Sequence, residues 1–271
     1  MAKSKRVLVI SDLHCGHLVG LTPPGWQLKS NSESKHIAKY GKIQNVLWNK
    51  YRKMVQSLKP IDILIVNGDA IDGKGKKSGS TEQITSDRNE QANMAVRCIQ
   101  EVAAPKIYLT YGTGYHTGDD EDFEDGIVKS VKKMGTTKEC CIKDHPTINV
   151  NGLIFDCKHH VGGSQIPHGR FTAAARERLW NVMWAEKKQR PKADVIIRSH
   201  VHYFAAAVMS NFLAMTTPSL QGLGTKYGAR RVSGTVDFGV VHFDVKSKED
   251  YQWGWIIPAY VDAERVQVLK P

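Results

Sequence analysis

The sequence predicts an α/β fold in which two sheets pack together and helices cover the outside. Short runs rich in Val, Ile and Leu recur along the chain, and segments with helical apolar spacing separate them in the first half. Strand-like segments dominate the second half. No internal repeat or long low-complexity linker interrupts the 271 residues, which favours a single domain over 1–271.

The first half is predicted to alternate strands with helices. Three segments are typical of buried strands that run into loops: "KRVLVISDLH", "IDILIVNGDAID" and "PKIYLTYGTGYH". Apolar residues at helical spacing predict helices over 43–58 and 81–102. Residues 15–40 lack any pattern, and a loop of that length is expected to be a functional lid or a mobile segment.

An acidic run, residues 119–125, comes next and could be taken for a metal site. A helical stripe overlaps it, formed by Phe123, Ile127, Val131 and Met134, and lysines lie toward the far end of the stripe. Acids at the start and bases at the end of a helix suit its dipole. We therefore interpret the run as the start of a helix that needs no metal.

The second half is predicted to be richer in strands. "TINVNGLIFDCKHH" is typical of a hairpin that turns at Asn151-Gly152. A helix is predicted over 170–189, with Phe171, Ala175, Leu179 and Val182 facing inward. Further strands are predicted near 195–202, 204–216, 235–245, 252–260 and 264–269.

Composition narrows the class of protein and its partners. Lys and Arg total 38 against 27 Asp and Glu, and the net charge of +11 favours an anionic partner such as nucleic acid. The five cysteines form no CxxC pair, which argues against a disulfide framework or a zinc knuckle. The basic start is more typical of a first strand than of a signal peptide, and no stretch approaches the roughly 20 apolar residues of a membrane helix. We expect a cytoplasmic protein without a membrane partner.

Four predicted strands end in residues that commonly bind metals. They are Asp12 and His14, Asp69, His159 and His160, and His200 and His202. Side chains two apart on a strand point the same way, and ligand sites are usually assembled where the carboxyl ends of strands meet. One such histidine is more often structural, but four strand ends of this kind favour a shared metal site.

The residue types indicate which metals fit. Mixed Asp and His ligands without Cys suit Mn²⁺, the first expectation here, as well as Fe, Zn²⁺ or Mg²⁺. Six ligands exceed the need of one ion with open positions, but they suffice for two ions that share a carboxylate. Two metals about 3.5–4 Å apart can hold a bridging hydroxide and clamp the oxygens of a phosphate ester.

The ordered motifs resemble those of one family. "SDLH", "GDAID", a glycine turn that ends in His116, "KHH" and "SHVH" occur in the order seen in calcineurin-like metallophosphoesterases. The resemblance spans residues 12–202. It implies a four-layer αββα sandwich of two mixed sheets, and hydrolysis of phosphomonoesters or phosphodiesters at a di-metal centre.

The resemblance also implies roles for the strand-end residues. One metal would be bound by Asp12, His14 and His202, the other by His200 and His159, and Asp69 would bridge them.

Three further residues near these ligands receive roles by the same resemblance. Asp72 would support the ligands from behind, and His116 would face the substrate as a catalytic residue. His159 is favoured over His160 because the family's ligand is commonly the first histidine after the strand. His160 would then point to substrate or into packing.

One motif departs from the family's pattern. "YGTGYHTG" stands where the family usually has G-N-H, whose asparagine binds the second metal. Tyr115 precedes His116 directly, and Thr113 follows Gly112. A neutral tyrosine is a poor replacement for the amide, whereas a threonine hydroxyl could bind weakly. Either the second metal is loosely held or a water completes its shell.

The leading functional hypothesis is a di-metal-dependent phosphoesterase, and within it a phosphodiesterase or nuclease. A phosphomonoesterase and a catalytically silent metal-binding scaffold are the alternatives, although a scaffold would not need His116. The oligomeric state stays open.

Positive charge near the expected metals bears on the substrate. The loop "GKGKKSGS" supplies Lys74, Lys76 and Lys77 as candidate substrate-binding residues, and Arg230 and Arg231 lie in a second glycine-rich stretch. Several cations suit a polyanionic strand such as nucleic acid. A solvated surface loop is the alternative.

Overall fold

The fold was determined as a computed structural model that describes residues 3–118, 122–164, 166–223 and 235–258, without the side chain of Lys77. In these residues the strands are β1 Lys5–Ile10, β2 Ile63–Asn67, β3 Lys106–Thr110, β4 Glu139–Lys143, β5 Thr147–Val150, β6 Leu153–Cys157, β7 Val195–Arg198, β8 Ala205–Met209, β9 Phe212–Thr216, β10 Val240–Val245 and β11 Tyr251–Ile256. The α-helices are α1 Lys35–Leu58, α2 Arg88–Val102, α3 Gly114–Thr117, α4 Glu124–Lys133 and α5 Arg170–Glu186. Short 3-10 helices lie at Pro24–Trp26, Lys76–Ser78 and Pro167–Gly169.

The strands form two mixed sheets. The first has the order β11-β10-β1-β2-β3-β4, and the second has the order β5-β6-β7-β9-β8. Strands β1 to β4 run parallel to one another, and so do β6, β7 and β9. The pairs β1–β10, β10–β11, β5–β6 and β8–β9 are antiparallel. The carboxyl ends of the central strands of each sheet therefore lie at one edge of that sheet.

The central strands of the first sheet, β1 and β2, bury apolar residues on both faces. On β1, Val7 and Val9 pack between the sheets, while Leu8 and Ile10 pack against the helices on the outer side. Helices α1, α2 and α4 cover that outer side, and α5 covers the outer side of the second sheet. The predicted sandwich of two mixed sheets flanked by helices is confirmed. A single domain over 1–271 stays a prediction.

The segment predicted as a lid or mobile loop is packed against the body of the protein. Helix α1 already begins at Lys35, capped by Ser34. The buried Gln44 donates to Leu18 O at 3.0 Å and accepts from Leu28 N at 2.8 Å. The segment is thus held against the core at both of these points, and its role as a lid stays a prediction.

The start of one helix and the presence of one strand also differ from the prediction. Helix α2 starts at Arg88 and not at residue 81, because Asp87 Oδ1 accepts from Asn89 N at 2.9 Å and caps the helix. Strand β4 was not predicted; its five residues carry a charge at each end and pair with β3. Such a short segment gives little periodicity to detect.

Helix α5 confirms the predicted helix but not its inward face. Phe171 and Leu179 were predicted to be buried, and both are exposed. The buried residues of the helix are Ala173, Ala174, Arg178 and Asn181. The reason is that polar contacts, described below, set the rotation of the helix.

The acidic run is part of a helix start, as predicted, over the residues that the structure describes. Ile127 and Val131 are buried, but Met134 is exposed, contrary to the predicted stripe. Residues 119–121, the arginines at 230 and 231, and the strand predicted at 264–269 lie outside the described residues. Within the described ranges, none of the helices has the length and apolar character needed to cross a membrane.

Candidate metal centre

Main-chain hydrogen bonds join the loop that follows β1 to the loop that follows β2, and the loop that follows β6 to the loop that follows β7. Asp12 N donates to Gly68 O at 3.0 Å, and His14 N donates to Asp69 O at 3.0 Å. In the second sheet, Ser199 N donates to His159 O at 2.8 Å. The strand-end residues predicted from the sequence are thereby brought together.

The backbone of these loops is strained where the predicted ligands lie. Left-handed φ angles occur at Asp12 (50°), His14 (43°), Asp69 (49°), His200 (74°) and His202 (56°). Each such residue costs on the order of 1–3 kcal/mol, and strain of this kind persists at sites where the surroundings enforce it. Nine non-glycine residues in the described part of the chain have a positive φ, and five of them are predicted metal ligands.

Glycines make the close approach of these loops possible. A Cβ atom at Gly68, which has a φ of 83°, would collide with the ring of His159. A Cβ atom at Gly112 would collide with the carboxylate of Asp69. The glycines of "NGDAID" and "YGTGYH" thus leave room for the functional side chains themselves.

The side chains form clusters that could hold metal ions. One cluster contains Asp12, His14 and His202, and a second contains Asp69, His159 and His200, with all ligand atoms of a cluster within 4.8 Å of one another. A third group of possible ligands consists of His14, Asp72 and His116. Within that group, His14 Nδ1 is already hydrogen-bonded to Asp72 Oδ1 at 3.0 Å.

Asp69 lies between the first two clusters. Its Oδ2 is 2.9 Å from His159 Nε2 and 4.0 Å from His200 Nδ1. The same oxygen is 4.0 Å from His14 Nε2 in the first cluster. A carboxylate in this position has the reach that the predicted bridging role requires; the role itself stays a prediction.

Two buried atoms of the clusters lack a hydrogen-bond partner. They are Asp12 Oδ1 and His159 Nε2. Asp69 Oδ2 lies 2.9 Å from His159 Nε2, but this contact lacks hydrogen-bond geometry. The nitrogen is therefore left without a hydrogen-bond partner. Buried polar atoms without partners are costly, and both atom types are good ligands for divalent cations. The residues present therefore fit a metal site.

Two histidines are oriented by hydrogen bonds to their other ring nitrogen. His14 Nδ1 donates to Asp72 Oδ1 at 3.0 Å, and His159 Nδ1 donates to Asn67 O at 2.7 Å. Each contact fixes the ring and leaves Nε2 facing the cluster, which is the usual arrangement behind a metal-binding histidine.

The electrostatics of the site favour a cation. Burial alone would raise the pKa of Asp12, but His202 and His159 lower it to about 2. Burial would likewise raise the pKa of Asp69, yet His159 holds it well below the usual range. Burial would lower the pKa of His159, but the nearby Asp69 raises it to about 10. A cation at His159 would therefore displace a proton from the ring.

His116 lies at the rim of the clusters. Its Nδ1 donates to Asp72 O at 2.7 Å, which leaves Nε2 on the side of Asp69, 4.0 Å from Oδ2. Tyr115 packs its ring against that of His116. Thr113 instead approaches Asp69: its N donates to Oδ1 at 2.7 Å and its Oγ1 to Oδ1 at 3.2 Å. Of the two candidates for the missing asparagine, the structure thus places Thr113 at the cluster.

The candidate substrate-binding residues lie in the loops that also carry Asp69 and His159. His160 is exposed, and its ring is 4.7 Å from that of His200. Lys74 and Lys76 are exposed on the loop that follows Asp72, together with Lys77, whose side chain is not described. Gln83 Nε2 anchors the start of that loop through Asp72 Oδ2 at 3.0 Å.

A buried polar network that the sequence did not predict connects the two sheets beneath the site. Asn67 Nδ2 donates to Ser199 Oγ at 2.6 Å, and Ser199 Oγ is 2.6 Å from Thr217 Oγ1. Thr217 Oγ1 is in turn 2.7 Å from Ser11 Oγ, and Thr110 Oγ1 donates to Asn67 Oδ1 at 3.1 Å. The sequence signal for this network was only that Ser11, Asn67 and Ser199 lie one or two positions before predicted ligands.

Glu124, also missed from the sequence, joins two loops of the site. Its Oε1 accepts from Ala70 N at 2.7 Å, next to Asp69, and its Oε2 accepts from Gly112 N at 2.8 Å. Burial raises its pKa to about 7, although both backbone N–H groups favour the ionised form. The interpretation of the acidic run as a helix start alone is therefore incomplete.

Replacing Glu124 with Gln is expected to disturb both loops. The amide must turn its NH₂ group toward one of two backbone N–H donors, which leaves that donor unsatisfied at a cost of about 1–3 kcal/mol. Urea unfolding should show that loss, and calorimetric titration should show weaker Mn²⁺ binding. Asp125→Asn is the matched control, since an amide oxygen can still accept from Tyr111 Oη. Parent-like stability and metal affinity in Glu124→Gln would contradict this role.

Comparisons with known proteins return structural neighbours only. No protein-family model and no curated protein matches the sequence. An archaeal phosphodiesterase is 14% identical, with 93% of this chain and 99% of that chain covered and a TM-score of 0.43. A predicted phosphoesterase from Streptococcus pneumoniae is 10% identical, with 96% and 97% covered and a TM-score of 0.41. Vps29 complexed with Zn²⁺ from Entamoeba histolytica is 11% identical, with 93% and 98% covered and a TM-score of 0.44.

Two of these neighbours are described as a phosphodiesterase and a predicted phosphoesterase, and the third was solved with zinc. Identity and TM-score are low in every case. Function is therefore inferred from the site of this chain.

Proposed function

We propose that this protein is a divalent-metal-dependent phosphodiesterase that acts on nucleic acid. The observation that carries the proposal is the pair of Asp/His clusters on either side of Asp69, with two buried ligand atoms lacking a hydrogen-bond partner. Asp12, His14 and His202 would hold one ion, and His159 and His200 the other, with Asp69 shared between them. Mn²⁺ is the first expectation for the metal.

The chemistry divides between the cofactor and the chain. Bound divalent ions would supply Lewis-acid stabilisation of the phosphate oxygens and lower the pKa of a coordinated water. Asp72 and Asn67 orient the rings of His14 and His159 by accepting from Nδ1. The hydrogen bond from His116 Nδ1 to Asp72 O leaves Nε2 on the side of Asp69, where a protonated Nε2 would be able to donate to a leaving-group oxygen of a substrate bound at the clusters.

A paired assay tests the proposal and separates it from the alternatives. After chelation, the protein is supplied with Mn²⁺, Mg²⁺ or Zn²⁺ and assayed on bis-p-nitrophenyl phosphate, p-nitrophenyl phosphate and oligonucleotides. Metal-restored hydrolysis of the diester and of oligonucleotides supports the proposal. A preference for the monoester would indicate a phosphomonoesterase. Metal binding without hydrolysis of any substrate would indicate a scaffold.

The nucleic acid part of the proposal rests on charge beside the site. The turn at Gly73 packs against the backbone of His116, and Gln91 fixes this turn by accepting from Gly73 N at 2.8 Å. Lys74 and Lys76 follow directly and are exposed. Several cations on a loop that begins beside His116 suit successive phosphates of a strand more than a single small monoester.

Changing Lys74, Lys76 and Lys77 together to Glu is expected to weaken oligonucleotide binding and to flatten its dependence on salt. Each lost phosphate contact reduces the counterions released, which lowers the slope of log K against log salt by about 0.7 for a single strand. Binding is measured by fluorescence anisotropy over a range of salt concentrations.

Hydrolysis of bis-p-nitrophenyl phosphate serves as the internal control and should be nearly unchanged. A second control is a triple change of lysines on α1, Lys39, Lys42 and Lys53 to Glu, which alters net charge equally. If the loop variant binds and cleaves oligonucleotides like the parent at every salt concentration, the loop charge is only solubilising.

A further inference from the structure

Helix α5 turns its large apolar side chains away from the protein. Leu179 is 65% exposed, Met183 49% and Trp180 44%. These residues are spaced so that they share one face of the helix, and Arg176 and Glu186 lie on the same face at either end. A helix on a sheet normally buries such a stripe, so this arrangement is inverted.

Polar contacts on the inner face set this rotation. Asn181 Nδ2 donates to Asp156 Oδ2 at 3.1 Å, and Asn181 Oδ1 accepts from Ala193 N at 2.9 Å. The carboxylate of Glu177 accepts from Arg198 Nε at 2.8 Å. Turning the apolar stripe inward would break these bonds and leave the fully buried guanidinium of Arg198 without its Glu177 partner.

An exposed apolar residue also lies at the end of the neighbouring strand. Helix α5 packs on β8 and β9, and Met209, which pairs with Phe212 on the side of the sheet that α5 covers, is 65% exposed. A group of exposed apolar side chains of this kind marks an interaction site.

We propose that this surface binds the same surface of a second copy of the chain. The two α5 helices run antiparallel, and the two-fold axis crosses them at the level of Asn181 along the helix. Leu179 and Met183 lie at equal distances on either side of Asn181, and so do Arg176 and Glu186. Antiparallel pairing therefore sets each Leu179 against Met183 of the second copy. It also sets each Arg176 opposite Glu186 of the second copy, on both sides of the axis.

The charge order is the reason for choosing a second copy as the partner. A two-fold interface must be complementary to itself, and this stripe carries one positive end and one negative end around an apolar centre. Parallel pairing would oppose Arg176 to Arg176 and Glu186 to Glu186, which is repulsive. The inference is independent of the proposed function, because none of these residues belongs to the metal centre.

Two complementary charge reversals test the pairing. In sedimentation equilibrium, the parent is expected to be a dimer, and Arg176→Glu and Glu186→Arg should each raise the dissociation constant about tenfold or more, since like charges then meet twice. Mixing the two variants should restore dimers, because each mixed dimer contains two opposite-charge contacts. The antiparallel arrangement would be overturned if both single variants had the dissociation constant of the parent dimer. It would also be overturned if the mixture stayed monomeric.

The apolar centre is tested separately. Leu179→Glu should give a monomer with an unchanged circular dichroism spectrum and thermal midpoint, because the side chain is exposed. Ile37→Glu, at an exposed apolar residue of α1, is the matched control and should remain a dimer. A parent that is monomeric at about 100 µM, or a Leu179→Glu variant that still dimerises like the parent, would overturn the proposal.

Discussion

Asp69→Asn is expected to abolish hydrolysis and to reduce the metal content strongly. The replacement is nearly isosteric, and its amide oxygen can still accept from Thr113 N, as Asp69 Oδ1 does at 2.7 Å. What disappears is the negative charge that lies between the two clusters, and a neutral amide cannot offset two dications. Metal content is measured by mass spectrometry after dialysis, and hydrolysis with bis-p-nitrophenyl phosphate.

Asp244→Asn is the matched control for this change. Asp244 pairs with Arg6 at 2.7 Å, on strand residues away from the clusters, so its loss should leave metal content and activity unaltered. Undiminished metal occupancy in Asp69→Asn would refute the bridging role of Asp69.

His116→Ala is expected to slow hydrolysis by about 10²–10⁴-fold on substrates with poor leaving groups, the usual contribution of a general acid. Nε2 of His116 is the end of the ring that lies toward Asp69 and the clusters, since Nδ1 is held by Asp72 O. The defect should shrink on nitrophenyl esters, because nitrophenolate leaves without protonation. Rates are compared on bis-p-nitrophenyl phosphate and on an oligonucleotide at saturating Mn²⁺.

His36→Ala, on the exposed start of α1, should behave like the parent on both substrates. An equal loss on good and poor leaving groups in His116→Ala would mean that His116 positions the phosphate and does not protonate the leaving group. Parent-like rates on both would remove His116 from the mechanism.

The two sheets and the ligand clusters could be predicted because their signals are local in sequence. Asp12 and Asp69 follow strands whose residues are apolar on both faces, and such runs are visible without any knowledge of tertiary contacts. His200 and His202 follow β7 in the same manner. The carboxyl ends of parallel strands then bring these residues to one edge.

The parts that were missed depend on contacts between distant segments. The rotation of α5 is set by Asp156 and Arg198, which lie on β6 and β7, so the spacing of apolar residues within the helix pointed the wrong way. Glu124 looks like any acid near a helix start until Ala70 and Gly112 are placed beside it. Nothing in the sequence near Glu124 carries that information.

The separation of the predicted ligands along the chain determines when the site can form. His14 and His202 come within 3.2 Å of each other although 188 positions separate them. Contacts of such high sequence separation are slow to form, because the loop between them must first be closed. Each cluster also needs residues from both sheets, so neither is complete until both sheets have folded and docked. A metal ion held by both clusters would therefore enter a protein whose sheets have already docked, unlike the zinc of a small finger domain, whose binding drives folding.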